Sequence, residues 1–114
     1  MKILIVDDDP FAGEMAAAIL ESAGHDCRLV EGGVEALETL ANEAFELVIS
    51  DMNMPLLSGL ELFAELRERA IATPFILLSG DDPEPLRAQA PGLADCLMKD
   101  ATLEDSLPNA VARL

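Results

Sequence analysis

Five side chains that could bind a metal ion, act as a nucleophile or neutralise an anion each follow a short apolar run of this sequence. The runs are rich in Ile, Leu and Val, which is typical of buried strands in a parallel sheet. Parallel strands have their carboxyl ends at one edge of the sheet, where open α/β proteins build their sites. The sequence therefore predicts that these side chains converge: Asp7, Asp8, Asp51, Ser79 and Lys99.

The three aspartates limit what this edge can do. Three carboxylates that lie close together cannot all stay ionised unless a cation lies among them. A sparse, oxygen-only ligand set favours Mg²⁺ over Ca²⁺. Lys99 would neutralise an oxyanion as a point charge, and Ser79 would donate a hydrogen bond to it. These groups fit phosphoryl transfer onto an aspartate, and Asp51 is the expected acceptor, with a buried structural role as its alternative.

The elements that must position these side chains follow from the alternation of patterns along the chain. Five apolar runs alternate with five segments of helical periodicity, joined by short turns. This alternation is typical of a doubly wound α/β fold, and right-handed crossovers leave few topologies. We expect a flavodoxin-like, five-stranded parallel sheet of order 2-1-3-4-5 with helices on both faces. Residues 1–114 are expected to form a single domain.

Apolar spacing predicts which faces of the helices are buried. In the first helix, Phe11, Met15 and Ile19 repeat at i, i+4 and i+8 and are expected to share the inward face. The third helix should begin after an N-cap at Ser58 and turn Arg67 towards water. Its expected core residues are Leu62, Phe63 and Leu66.

The chain beyond the fourth apolar run departs from regular helical patterns. Prolines on both sides restrict the fourth helix to barely two turns, with Asp82 as its cap. Thr102 and Asp105 resemble a capping box for the last helix. Pro108 falls inside that helix, where a proline costs about 3 kcal/mol. The last helix is therefore expected to be kinked or to begin only near Ser106.

Composition excludes several classes of function. There are 7 basic and 22 acidic residues, a net charge of −15, which disfavours direct binding to nucleic acid or to anionic membranes. Partners should instead present basic or apolar surfaces. No apolar run approaches the roughly 20 residues that a membrane-spanning helix needs. The amino terminus, with acidic residues directly after its first apolar run, does not have the pattern of a signal peptide.

Cysteine and histidine are too few to form the usual sulfur or imidazole sites. Cys27 and Cys96 lie in apolar contexts without metal-ligand spacing, so free thiols in a reducing cytosol are expected. His25 is the only histidine and lies in a Gly-His-Asp turn, where a solvated side chain is expected. A catalytic triad or a histidine-rich metal site is therefore hard to build from this sequence.

Four motifs, taken together, resemble the receiver domain of two-component response regulators, especially the single-domain chemotaxis regulators. They are Ile-Leu-Ile-Val-Asp-Asp-Asp-Pro, Val-Ile-Ser-Asp-Met-Asn-Met-Pro-Leu-Leu-Ser-Gly-Leu-Glu-Leu, Leu-Leu-Ser-Gly and Met-Lys, which begin at residues 3, 48, 77 and 98. Each motif alone is weak, but all four stand in the order and spacing of that family. The resemblance covers nearly the whole chain.

The resemblance implies a role for each acidic position. Asp51 would accept a phosphoryl group from a sensor histidine kinase or a histidine phosphotransfer protein. Asp8 would bind Mg²⁺ directly, and Asp7 would bind it directly or through water. Asn53 would offer its backbone carbonyl to the metal ion.

The resemblance also implies roles in signalling and in release of the phosphate. Lys99 would hold a phosphoryl oxygen, and Ser79 would move to the phosphate as the switch hydroxyl. Asn53 and Asp81 match positions that tune dephosphorylation in this family, so spontaneous loss of phosphate is expected. Cys96 takes the second switch position, where the family commonly has Tyr or Phe.

Departures from the family pattern all fall after the fourth strand. Asp100 follows Lys99, where the family usually has a proline after a cis bond. Cys96 replaces the switch aromatic, the fourth helix is short, and Pro108 interrupts the last helix. The phosphoryl-accepting residues are complete, whereas the face that this family uses for output is altered.

Two other functions are consistent with parts of the sequence. A degenerate receiver could act as a phosphorylation-independent docking module. A haloacid-dehalogenase-like phosphatase would use Asp7 as nucleophile and Asp9 as general acid, although that reading leaves the Asp51 motif unexplained. The downstream partner is unknown and is expected to dock on the surface formed by residues 82–114. The protein is expected to be a monomer or a weak dimer, either free-standing or part of a longer protein.

Overall fold

The computed structural model describes residues 1–114 and contains five strands that alternate with five helices. The strands form one parallel sheet of order β2-β1-β3-β4-β5, which confirms the predicted topology. The elements are β1 (Lys2–Val6), α1 (Pro10–Ser22), β2 (Asp26–Val30), α2 (Gly33–Asn42), β3 (Leu47–Asp51), α3 (Gly59–Glu68), β4 (Phe75–Ser79), α4 (Glu84–Gln89), β5 (Asp95–Met98) and α5 (Leu103–Ala112).

The sheet divides the core into two layers because successive side chains of a strand point to opposite faces. Leu4 and Val6 of β1 pack on the side of α2 and α3, whereas Ile3 and Ile5 pack on the side of α1 and α5. The central strand β3 is buried along its whole length. No helix combines the length and apolar character that a membrane crossing requires.

The prediction for the buried face of α1 was wrong. Phe11 is 70% exposed and Met15 is 52% exposed, although their spacing is that of an apolar helix face. The face that meets the sheet is built from smaller residues and one leucine, namely Gly13, Ala16 and Leu20. Periodicity shows that residues share a face, but it does not show which face the sheet covers.

Gly13 explains why the small residues of α1 face inward. A Cβ at this position would overlap Leu29 Cδ1 in β2, so a larger residue would require the Leu29 side chain to move. The larger side chains of α1 are then turned to the outside. The helix itself is well specified, since Asp9 caps it by accepting the Phe11 N–H at 3.0 Å.

Helix α3 follows its predicted pattern except at Arg67. Ser58 and Glu61 form a reciprocal capping box, and the predicted inward residues are buried. The Arg67 guanidinium was expected in water, but it donates to the carbonyls of Ile71 at 2.7 Å and Thr73 at 3.0 Å. It also stacks over the Phe63 ring at 4.5 Å. The long aliphatic stem allows the charged head to bind the chain that leaves its own helix.

The last two helices differ in how far they match expectation. Helix α4 is short, as predicted, and Asp82 accepts the Glu84 N–H at 3.1 Å. Helix α5 begins at Leu103, so the predicted start near Ser106 was wrong. Pro108 lies inside α5 and removes one helical N–H donor while the helix continues to residue 112.

The capping box predicted at the start of α5 is absent. Thr102 has helical backbone angles and makes no side-chain cap. Its hydroxyl instead donates to Asp100 at 2.5 Å. Every peptide bond is trans, including the one between Lys99 and Asp100, and both cysteines are free thiols.

Candidate functional site

The strand ends bring three carboxylates together at one edge of the sheet. Asp7 follows β1, Asp8 follows Asp7, and Asp51 is the last residue of β3. One oxygen of each carboxylate lies within 4.8 Å of an oxygen of the other two. Because β1 and β3 are paired neighbours, their register fixes this approach. The convergence predicted from the sequence is therefore present.

Asp7 is held rigidly by its backbone and its side chain. Its N–H donates to the carbonyl of Val30 at 3.1 Å, which extends the β1–β2 ladder to the end of β1. Its Oδ1 accepts the Asp9 N–H at 3.0 Å. The Asp7 side chain is buried, whereas Asp8 is exposed. One carboxylate therefore lies deep in the site and the other lies at its mouth.

Lys99 places a single ammonium group between two of the carboxylates. Its Nζ donates to Asp7 Oδ2 at 3.0 Å and lies 3.4 Å from Asp51 Oδ1. The position of this lysine is set by β5, since the Lys99 N–H donates to the Ser79 carbonyl at 2.7 Å and continues the ladder with β4. One positive charge thus faces three carboxylates, so the negative charge of the site is only partly neutralised.

The excess of carboxylates contributes to the pKa shifts of Asp51 and Lys99. Burial raises the pKa of Asp51 above its ordinary value; the nearby Lys99 charge opposes this rise, and the charges of Asp7 and Asp8 add to it. Burial alone would lower the pKa of Lys99, but its hydrogen bond to Asp7 and the two carboxylate charges raise it. The charged form of Lys99 is therefore favoured by its two partners, and ionisation of Asp51 is less favourable here than for a carboxyl group in water.

The turn after β3 is fitted closely to the end of that strand. The Gly59 N–H donates to the Met52 carbonyl at 2.9 Å. A Cβ on Gly59 would lie 2.5 Å from the Asp51 carbonyl oxygen and 2.5 Å from Leu77 Cδ1. Glycine is therefore required where α3 begins, because the first turn of the helix lies directly against the backbone of Asp51.

The remaining predicted residues surround the carboxylates without hydrogen bonds to them. The Ser79 hydroxyl is buried and accepts the Asp81 N–H at 3.1 Å. Asn53 is exposed in the turn after β3, and Asp81 is exposed after β4. Cys96 is buried among the apolar residues on the side of α3 and α4. The structure thus joins Asp7, Asp8, Asp51 and Lys99 directly, and places the others on the adjacent loops and strand.

The donor set fits a hard divalent cation. Its atoms are carboxylate oxygens only, one of the carboxylates is exposed to water, and the local charge is negative. No histidine or cysteine belongs to the cluster, which disfavours softer metals. Asp7, Asp8 and Asp51 are the residues that could hold Mg²⁺, with water completing the coordination.

One ionic network at the start of β5 was not expected from the sequence. Arg87 in α4 donates to the Cys96 carbonyl at 2.7 Å and pairs with Asp95 Oδ1 at 2.9 Å. Asp95 also pairs through Oδ2 with Arg113, which follows α5, at 3.2 Å. This network joins α4, β5 and the end of α5. Sequence offered no signal for it, since the three charges are far apart in the chain.

Leu56 was also missed by sequence analysis. Its φ angle is 70°, in the left-handed region that favours glycine or asparagine, and it is 93% exposed. A leucine gives no local indication of that conformation, so the turn after Pro55 could not be described from sequence.

Comparison with protein families gives a match over almost the whole chain. The family model described as "Response regulator receiver domain" matches residues 3–111. The sensor histidine kinase RcsC of Salmonella typhi is 34% identical over 114 residues, which are 98% of this chain and 12% of the kinase. The chain thus spans about an eighth of the length of that relative.

Solved structures agree with the fold. The response regulator TrrA from Thermotoga maritima, in complex with Mg²⁺-BeF, superposes with a TM-score of 0.89 and 29% identity, covering 98% of this chain and 96% of TrrA. The chemotaxis response regulator CheY4 of Vibrio cholerae superposes with a TM-score of 0.87 and 29% identity, with coverage of 98% and 96%.

Proposed function

The chain belongs to the response regulator receiver domain family, and on that premise we propose that Asp51 accepts a phosphoryl group from a sensor histidine kinase or a histidine phosphotransfer protein. The observation that carries the proposal is the cluster of three carboxylates with the Lys99 ammonium among them. Residues 1–114 act as one receiver domain in this proposal. The protein is then a signalling module that catalyses only its own phosphorylation and dephosphorylation.

Each residue of the cluster has a distinct task in the transfer. An Asp51 carboxylate oxygen attacks the phosphorus of the donor's phosphohistidine, so a P–O bond forms while the P–N bond breaks and its electron pair returns to the imidazole. The Lys99 ammonium leaves its ion pair with Asp51 and binds a phosphoryl oxygen in its place. Asp7, Asp8, Asp51 and the Asn53 carbonyl would hold Mg²⁺, which would offset the negative charge of the phosphoryl oxygens. The complex of TrrA with Mg²⁺-BeF supports this ion.

The phosphorylated state is proposed to be temporary and to be reported by Ser79. The Ser79 hydroxyl exchanges its bond with the Asp81 N–H for one to a phosphoryl oxygen, which moves the loop between β4 and α4. Asn53 and Asp81 are exposed and polar beside the site, so they can orient an attacking water. A phosphoryl group that persisted for days at neutral pH would contradict this role.

Two surfaces are proposed for the two kinds of partner. Phe11 and Met15 are exposed on α1, directly after the aspartates, and offer apolar contacts to a phosphoryl donor that must approach Asp51. The downstream partner docks on the surface of residues 82–114, where the Arg87–Asp95 pair links α4 to β5. Buried Cys96 replaces the family's switch aromatic, so the loop movement would act through α4.

The test of the proposal is the intact mass of the protein after incubation with acetyl phosphate, with and without Mg²⁺. We expect a Mg²⁺-dependent gain of one phosphoryl group in the wild type and in Asp105→Asn, an exposed control on α5. Asp51→Asn should gain none, because the acceptor oxygen is replaced by an amide.

Other results would favour the rival functions. Phosphorylation retained in Asp51→Asn but lost in Asp7→Asn would place the nucleophile at Asp7, as in a haloacid-dehalogenase-like phosphatase, against the family match. No gain in mass, together with no binding of beryllofluoride, would leave a degenerate receiver that docks without phosphorylation.

A further inference from the structure

A shallow groove lies beside the turn that follows β3 and involves neither α1 nor the surface of residues 82–114. Its apolar part consists of Val34 at the start of α2 and of Pro55 and Leu56 in the turn, and its volume is about 380 Å³. Val34 is 58% exposed and Leu56 is 93% exposed. Two large apolar side chains that the core does not use therefore face water in one place.

The backbone of Leu56 argues against an incidental exposed leucine. At a φ of 70°, an L side chain is strained, and glycine or asparagine would relieve the strain. Leu56 contributes almost no buried surface to the fold in return. The backbone strain and the exposed apolar surface of Leu56 both reduce the stability of the isolated protein. Packing of Leu56 within the protein does not compensate for either cost.

The two sides of the groove are fixed relative to one another. Gly33, the first residue of α2, lies so close to the turn that a Cβ there would be 2.7 Å from Leu57 Cδ2. Leu57 is partly buried and packs against the core, which anchors the turn directly beside Leu56. The groove is therefore a preformed surface between α2 and the turn, and an occupant need not order it.

Acidic side chains surround the apolar part of the groove. They are Glu31, Glu35 and Glu38, in a chain whose net charge is −15. No basic residue lines the groove. A second copy of this chain would bring two acidic rims together, so the charge disfavours self-association and favours a positively charged occupant.

We propose that this groove seats an apolar side chain from a protein segment in which Lys or Arg flanks a leucine-like residue. Val34, Pro55 and Leu56 contact the apolar side chain, and the three glutamates pair with the flanking cations. The surface is distinct from phosphoryl transfer at Asp51 and does not depend on it.

The probe is a 12-residue synthetic peptide with two leucines flanked by Lys and Arg, added to ¹⁵N-labelled protein and followed by amide chemical shifts. A second peptide carries serine in place of both leucines and has the same charge. We expect shifts at residues 31–38 and 55–57, and about tenfold weaker binding of the serine peptide, since an apolar side chain then remains unburied. The affinity should also fall with added salt.

Variants of the protein separate docking from folding. Leu56→Gly should lose most of the affinity for the leucine peptide, while its unfolding midpoint stays equal or rises because the backbone strain is relieved. Ala70→Gly is the matched control, since Ala70 is the other non-glycine residue with positive φ, at 61°, and it lies outside the groove. Glu38→Lys should weaken binding more than Glu68→Lys, an exposed control on α3.

Three results would overturn the proposal. The leucine and serine peptides could bind equally, or their shifts could spread over the acidic surface, which would indicate charge attraction alone. Leu56→Gly could bind as well as Ala70→Gly. Groove resonances could also shift with the concentration of the protein alone, which would make a second copy the occupant. Because the assay uses unphosphorylated protein, failure of the Asp51 proposal leaves its result unaffected.

Discussion

At the scale of single residues, the site is governed by charge. Lys99 is the only basic side chain that pairs with the aspartate cluster, and it contacts Asp7 and Asp51 but not Asp8. Burial and the charges of Asp7 and Asp8 raise the pKa of Asp51 against the opposing charge of Lys99, so ionising this carboxyl costs more in the metal-free folded protein than in the unfolded chain. In the proposed transfer, the same carboxyl group must be ionised to attack phosphorus. The carboxylates needed for this reaction therefore lower the stability of the fold, and a bound divalent cation would reduce the repulsion between them.

Asp51→Asn should therefore stabilise the metal-free protein. A carboxyl group whose pKa is raised on folding stabilises the fold only while it is protonated, and that contribution is lost as pH rises from its ordinary value of 3.8 through the raised value. We expect the variant to unfold at higher urea concentration than the wild type at pH 7, with the difference shrinking below pH 4. Asp105→Asn is the control, and equal stability of Asp51→Asn and wild type at pH 7 would contradict the argument.

At the scale of elements, the turns and helix starts hold the site residues in place. The ladder hydrogen bonds of Asp7 and Lys99 extend beyond the ends of β1 and β5, so both side chains are carried by the sheet and not by free loops. Helix α3 starts against the Asp51 backbone through Gly59. Helix α4, only six residues long, is linked to β5 by the ion pair between Arg87 and Asp95 and by the Arg87 hydrogen bond to the Cys96 carbonyl.

Gly59→Ala should destabilise the protein by about 1–3 kcal/mol, which is typical of overpacking at a close contact. The added methyl group would lie 2.5 Å from the Asp51 carbonyl oxygen, so either α3 or the end of β3 must move. Urea unfolding measures the loss, and phosphorylation of Asp51 by acetyl phosphate should slow as well.

Gly80→Ala is the control for this substitution, because nothing lies within 4 Å of a Cβ at position 80. That variant should be unchanged or slightly more stable, since alanine restricts the unfolded chain. If both substitutions changed the stability equally, the close contact of Gly59 with the Asp51 carbonyl would not be the cause of the destabilisation.

At the scale of the whole molecule, net charge and the cation site act together. A charge of −15 on 114 residues makes the folded protein repel itself, and the carboxylate cluster concentrates part of that charge at one edge of the sheet. The same charge attracts cations and basic partners while it disfavours nucleic acid. Mg²⁺ should therefore stabilise the entire domain and not only its site.

Adding Mg²⁺ at ten times its dissociation constant should raise the unfolding free energy by about 1.4 kcal/mol, which corresponds to a rise of about 5 °C in Tm. Differential scanning calorimetry at constant ionic strength, with NaCl as the balance, separates binding from general screening. The Tm of Asp8→Asn should rise less on addition of Mg²⁺, because this variant lacks one of the three carboxylates. An equal shift in wild type and Asp8→Asn would indicate diffuse binding to the acidic surface.

The strands and the residues that follow them could be predicted from the sequence alone. Apolar runs of four or five residues identify buried strands, and a parallel sheet brings their carboxyl ends to one edge, so Asp7, Asp8, Asp51 and Lys99 converge for topological reasons. The alternation of strands and helices left few strand orders, and the order chosen among them is the one observed. These features depend on local sequence patterns and on the topology of the sheet, and they do not depend on how individual side chains pack.

Only the tertiary structure showed which of two similar capping patterns forms a cap and which face of α1 is buried. Ser58 and Thr102 each begin a similar capping pattern, yet only Ser58 has an extended backbone and forms a cap, because Asp100 binds the Thr102 hydroxyl. Likewise, the spacing of Phe11 and Met15 marked a face of α1, but the packing of Gly13, Ala16 and Leu20 in the core leaves Phe11 and Met15 exposed. Such contacts join residues far apart in the chain, so only the folded molecule specifies them.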